Sequence, residues 1–122
     1  MEKYSLGEME MRLAELIWEH APLRTAELVA LCAEAFAWKR STTYTMLKRL
    51  CERGLFANEG GTVNVRMSRE DFQARKGAQF IEEHFEGSLP LFLTAFSRRK
   101  KLSRKDVEEL RKLIDSCEEK HD

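Results

Sequence analysis

Between Trp38 and Gly54 the chain reads W-K-R-S-T-T-Y-T-M-L-K-R-L-C-E-R-G, and these residue types suit contact with a double-stranded polyanion. Over residues 38–53, Lys39, Arg40, Lys48, Arg49 and Arg53 stand against a single acid, Glu52. Lys and Arg hold phosphates, while hydroxyls such as those of Ser41, Thr42, Tyr44 and Thr45 can bond base edges. At a helical period Thr43, Met46, Leu47 and Leu50 share the opposite, apolar face. Ser41 is a good N-cap and Gly54 a good stop, so the spacing predicts one helix of about three turns. That helix fits a major groove. The plainer reading is an amphipathic surface helix whose polar side is solvated.

The elements around it must hold it at a surface. Leu6 to His20 predicts a first helix with Met9, Leu13, Leu16 and Ile17 inward and Trp18 adding bulk near its end. Pro22 breaks the chain over 21–24, leaving room for a few extended residues. Thr25 is expected to cap a second helix from Ala26 to about Phe36. After Gly54 the period changes from helical to alternating. Leu55–Asn58 and Val63–Met67 predict two strands, with Glu59-Gly60-Gly61-Thr62 as the turn between them. Three helices and then a hairpin make a winged helix-turn-helix, with Arg66 of the hairpin lying along the neighbouring phosphates.

Downstream, Ser68-Arg69-Glu70-Asp71 opens a helix to about Phe85, closed by Gly87. Leu89 to Phe96, L-P-L-F-L-T-A-F, is the most apolar segment; a basic linker is expected over 98–101, and Ser103 caps a last helix. That helix carries a stripe of Val107, Leu110, Leu113, Ile114 and Cys117. Three such helices cannot enclose a core alone. Phe80, Phe85, Leu89, Leu91, Phe92, Leu93, Phe96, Val107, Leu110, Leu113 and Ile114 are therefore expected to pack against a second copy of the chain, since closed two-fold symmetry is the commonest homo-oligomer. The alternative is that they fold back on their own winged helix. The expected architecture is mainly α: a winged-helix DNA-binding domain of three helices and a two- or three-stranded wing over 1–67, then a helical dimerisation domain over 68–122.

Composition fits. The chain has 122 residues, 43% hydrophobic and 34% charged, with formal net charge +0. Residues 1–37 hold seven acids and three bases, 38–53 reverse that balance, and Arg98 to Lys105 adds six bases with no acid. Affinity for a polyanion follows the local patch, not the sum. There is no apolar run long enough to span a bilayer, and Met1 to Ser5 shows no signal-peptide pattern, so a cytoplasmic protein without membrane insertion is expected. Chemistry of the catalytic kind is missing. His20, His84 and His121 are far apart, Cys51 has no His nearby in sequence, and Gly60-Gly61 is followed by no Lys-Ser/Thr pair. Cys32, Cys51 and Cys117 are widely spaced and read as free thiols rather than a disulfide or metal site. Neither an enzyme, a cofactor nor a metal is expected.

Several runs together resemble the penicillinase-repressor family of winged-helix transcriptional repressors (the BlaI/MecI/CopY type). They are L-G-E-M-E and L-I-W-E within 6–19, S-T-T-Y-T-M-L-K-R-L through R-G-L at 41–55, L-T-A-F at 93–96 and L-S-R-K-D-V-E-E-L-R-K-L-I at 102–114. The resemblance implies a dimer that sits on a palindromic operator and blocks transcription. In some members a membrane sensor protease that detects β-lactams leads to a cut in the dimerisation region before a Phe, which corresponds here to Ala95–Phe96. The best-known substrates have Asn where this chain has Ala95. Copper-responsive relatives carry paired C-x-C motifs near the C-terminus, where this chain has Cys117 alone. Two other functions fit the same residues: a winged helix used as a protein-interaction module, and a thiol- or metal-responsive sensor built on the three cysteines.

Overall fold

The computed structural model describes residues 6–121, with side chains through Glu118; the expectation about Met1 to Ser5 lies outside the described residues. In order, the elements are α1 (Glu8–His20), β1 (Leu23–Arg24), α2 (Thr25–Phe36), α3 (Arg40–Glu52), β2 (Phe56–Glu59), β3 (Thr62–Val65), α4 (Arg69–His84), α5 (Leu89–Arg99) and α6 (Arg104–His121). The backbone divides into two compact units, with the break between Gln79 and Phe80, inside α4.

The first unit is a winged helix-turn-helix. Its core gathers Leu13, Ala14 and Ile17 of α1, Leu28 and Cys32 of α2, and Leu47 and Leu50 of α3 under Leu23, Leu55, Phe56 and Val63 of the sheet region. Phe72, in the first turn of α4, is also buried there. Trp18 ties these parts together: its ring lies 5.5 Å from Phe56 and 5.7 Å from Phe72, and Nε1–H donates to the Met67 carbonyl at 2.9 Å. Met9 does not join the stripe expected of it and is exposed. The inner row of α1 is Glu10, Leu13, Ala14 and Ile17, an i, i+3, i+4, i+7 set rotated one residue from the expected one.

The sheet has three strands in the order β1-β3-β2, all antiparallel. The short extended stretch after Pro22 becomes β1, pairing Leu23 with Val63 and Arg24 with Thr62. β2 and β3 start and stop a residue or two from the expected bounds, because Glu59 and Thr62 already pair and leave only Gly60-Gly61 as the loop. Both glycines have positive φ, +58° and +85°, the geometry of a two-residue type I′ hairpin turn.

In the second unit, α4 ends where Gly87, at φ +74°, donates its N–H to the Ile81 carbonyl. Ser88 caps α5 through its Oγ, which accepts from the Leu91 N–H, and Pro90 sits in the first turn. Arg98 and Arg99 belong to the last turn of α5, so the connection is only Lys100 to Ser103 rather than 98–101. Ser103 Oγ accepts from the Asp106 N–H and starts α6. A row of rings runs Phe80, Phe85, Phe92, Phe96, with successive centroids 5.9, 5.3 and 6.1 Å apart. Among the described residues of this unit none is fully buried. Leu89, Leu113 and Ile114 remain 56%, 59% and 52% exposed.

Candidate nucleic-acid interface

The helix expected to carry the chemistry is α3, and its two faces separate as the periodicity requires. Leu47 and Leu50 are buried and Met46 is packed against the core. Thr43 is 1% exposed, a buried polar residue whose Oγ1 lies 3.4 Å from the Lys39 carbonyl it donates to. Its hydroxyl also bonds the Cys32 thiol, joining α3 to α2. On the outer face Ser41, Thr42, Thr45, Lys48 and Arg49 are exposed and Tyr44 is half-buried.

The C-terminal end of α3 closes as a Schellman motif. Gly54, at φ +84°, donates to the Cys51 carbonyl and Leu55 to the Leu50 carbonyl. At the other end Ser41 is not the cap. The N-cap is Lys39, extended at φ −74° and ψ 157°, and Ser41 lies one residue inside the helix. The connection from α2 explains the shift. Ala37 adopts the left-handed conformation (φ 57°, ψ 34°), and the Phe36 and Trp38 rings meet at 4.9 Å. That packing fixes where the chain enters α3, two residues before the hydroxyl that local propensity would favour. Thr25 is likewise the first residue of α2 rather than its cap; the Arg24 N–H is held by the Glu27 carboxylate at 3.0 Å.

The basic side chains sort into two groups. Arg53, one of the five counted in the sequence, turns inward to Glu10, with Nε 3.5 Å from Oε2. Lys39, Arg40, Lys48 and Arg49 are exposed, and none joins a salt bridge among the described residues. Arg40 lies over the Tyr44 ring, 5.4 Å from its centroid, and Arg49 rests against Met46 with Nη1 3.7 Å from Sδ. These contacts orient the two guanidinium stems without neutralising them.

Arg66 is exposed at the root of the hairpin, where its N–H donates to the Leu55 carbonyl. The tip has a different cation. A Cβ on Gly61 would lie 3.6 Å from Arg24 Nη2, so the Arg24 guanidinium rests beside the turn. Arg24 also stands at the N-terminus of α2, an end whose free N–H groups favour anions. The sequence reading passed over Arg24. Its signal was a lone base between the Pro22 break and a helix start, which says nothing of the turn 37 residues later.

A family model described as "Penicillinase repressor" matches residues 6–116. The chain belongs to the penicillinase-repressor family. That is a family of transcriptional repressors and not of enzymes. The chain is similar to the penicillinase repressor of Bacillus licheniformis, 25% identical over 114 residues that cover 90% of this chain and 89% of that protein. It is also similar to the monomeric form of Bacillus licheniformis BlaI, solved in solution in complex with the blaP half-operator. There the identity is 24% and the TM-score 0.47, over 55% of this chain and 87% of that one. Among the described residues of this penicillinase-repressor family member, no cluster of His, Cys, Asp or Glu could hold a metal ion, and no helix is long and apolar enough to cross a membrane.

The thiols bear on the sensor alternative. Burial pushes the Cys32 thiol above its ordinary value, against the lowering effect of the Thr43 bond. Cys51 is also raised, first by burial and further by Glu52, with a backbone bond from Asn58 opposing. A raised pKa means little thiolate at neutral pH, so neither is activated for redox chemistry. Treatment of the native protein with iodoacetamide at pH 7.5 is expected to label exposed Cys117 within minutes and Cys32 only after denaturation, with DNA binding unchanged. Loss of binding in step with labelling, followed by mass spectrometry, would favour the sensor.

Proposed function

We propose that this chain is a homodimeric transcriptional repressor that places α3 in the major groove of operator DNA. One observation carries the reading. The outer face of α3 presents four exposed cations that join no salt bridge among the described residues, interleaved with Ser41, Thr42 and Thr45, on a floor fixed by Thr43, Leu47 and Leu50. Ser41, Thr42, Tyr44 and Thr45 face the bases; Lys39, Arg40, Lys48 and Arg49 hold the phosphates on either side, Arg24 reaches them beside the wing tip and Arg66 at the wing root. A protein-interaction module has no need of such a cationic face. The name of the relative that is 25% identical over 90% of this chain, a penicillinase repressor, supports the same partner class.

Dimerisation belongs to residues 80–122. The exposed rows of Phe80, Leu89, Leu91, Phe96, Leu113 and Ile114 support a two-fold interface there. Relief by proteolysis at Ala95–Phe96 completes the proposal: the cut would part Phe96 and the whole of α6 from the winged helix. The bond lies within α5, so α5 must open locally before a protease can reach it.

The test is a nuclease footprint with the intact protein on DNA from upstream of its own gene. Two protected half-sites, related by a dyad and separated by a whole number of turns of about 10–10.5 base pairs, are expected. A uniform absence of protection, or protection of one half-site at every protein concentration, overturns the reading.

A further inference from the structure

The connection between α5 and α6 carries charge that the fold does not use. Arg98 and Arg99 end α5, Lys100 is extended at φ −139° and ψ 116°, Lys101 follows, and Arg104 and Lys105 open α6. All six are exposed. Arg104 and Lys105 have neighbours one turn on, Glu108 at 3.5 Å and Glu109 at 3.9 Å, in exposed pairs that contribute little. The four cations from Arg98 to Lys101 join no salt bridge among the described residues.

Helix dipoles do not account for the cluster. The C-terminal end of α5 favours Arg98 and Arg99, but the N-terminal end of α6 disfavours Arg104 and Lys105, and the two half-charges of opposite sign meet at this connection. What remains is a run of like charges that repel one another. Nor is the segment a loose tail. Leu102 is half-buried and lines a hollow with Phe92, Leu93, Phe96, Leu110 and Leu113, so the basic residues on both sides of it are held in place. A fixed, exposed ridge of positive charge in a chain of net charge zero marks a segregated binding surface.

We infer that the ridge from Arg98 to Lys101, with Arg104 and Lys105 beside it, is a second phosphate-binding surface that engages the backbone of duplex DNA without regard to sequence. The inference rests on the DNA-binding reading above and extends it to residues outside the winged helix. The partner is duplex rather than an acidic protein because Arg98 to Lys101 is an unbroken run of cations, and of the two side chains that separate it from Arg104, Leu102 lines the hollow and Ser103 caps α6. Such a surface matches a regular phosphate lattice and offers nothing for reading a sequence. It would raise general affinity and retention on DNA near the operator, while α3 sets the preference for the site.

The experiment is a salt titration of binding to a scrambled 30-base-pair duplex, using the full-length protein. The four-fold variant R98Q/R99Q/K100Q/K101Q is compared with wild type and with the charge-preserving R98K/R99K/K100R/K101R. Each phosphate contact contributes about 0.9 to the slope of log affinity against log salt, so the neutral variant should lose about two to four units of slope per chain and bind more weakly by roughly a hundred-fold or more near 0.1 M salt. The charge-preserving variant should match wild type. Equal slopes for all three proteins overturn the inference, and so does retention of duplex binding with selective loss of binding to polyglutamate. A wild-type protein that prefers no upstream DNA would sink the assignment of α3 instead, and this titration would still read the ridge.

Discussion

Phe92→Asp combined with Leu110→Asp is expected to convert the protein from a dimer to a monomer and to weaken operator binding by about a hundredfold or more. Both residues line the hollow of the second unit, and Phe92 is the centre of the ring row, 5.3 Å from Phe85 and 6.1 Å from Phe96. In the proposed dimer two-fold symmetry doubles each substitution, so four carboxylates would have to be buried without partners. Once the tether is lost, each winged helix binds its half-site alone, and the gain from effective concentration disappears. Because Phe92 and Leu110 also pack within their own chain, Leu113→Glu provides a separate arm. Leu113 lies at the edge of the same hollow but is 59% exposed, so its change disturbs the intrachain packing far less while charging the outer face. Sedimentation at micromolar concentration reads assembly, and circular dichroism reads folding. A wild-type protein that sediments as a monomer would remove the basis for the prediction, as would a Leu113→Glu protein that remains as dimeric as wild type.

Thr45→Ala and Arg49→Ala should then separate specificity from general affinity on α3. Thr45 is exposed on the N-terminal half of the helix, the part that enters deepest in helix-turn-helix proteins. Losing its hydroxyl bond or its methyl contact to thymine should cost about 1–3 kcal/mol on the operator and nothing on scrambled duplex. Arg49 lies one turn further on, propped against Met46 and without an acidic partner among the described residues. Its loss should weaken operator and scrambled duplex alike and lower the salt slope by about one unit per half-site. Neither residue touches the core, so thermal stability should stay within about 0.5 kcal/mol of wild type. If Thr45→Ala weakens both duplexes equally, or Arg49→Ala weakens the operator alone, the two roles are exchanged.

The features legible in the chain were those governed by local rules. The period of Thr43, Met46, Leu47 and Leu50 separated the two faces of α3, and Gly54 stopped it because only glycine enters the left-handed region at no steric cost. Gly60-Gly61 fixed the hairpin turn for the same reason. Ser103 likewise caps α6 through a bond three residues away. The exposed cations and hydroxyls of α3 followed from the same periodicity. Where the structure departs from that reading, at Ser41, the rings of Phe36 and Trp38 set the entry to the helix, and packing outweighs the roughly 1 kcal/mol that one cap choice carries.

By itself, then, the sequence determined the order of helices and strands and the polarity of each face, because these depend on residues within a turn or two of each other, and the ordered runs from 6 to 114 carried the family. Tertiary structure alone decided which long-range partners those faces met. It rotated α1 so that Glu10, not Met9, turns inward, and there Glu10 takes Arg53 out of the set of cations open to DNA. It carried Arg24 to the wing turn and Phe72 into the core beside Trp18. The amphipathic period states that a face must be covered, but many apolar or charged groups can cover it with similar energy. Which one does so depends on the joint packing of elements separated by forty or fifty residues, where shape and loop length choose among partners that local chemistry leaves equivalent.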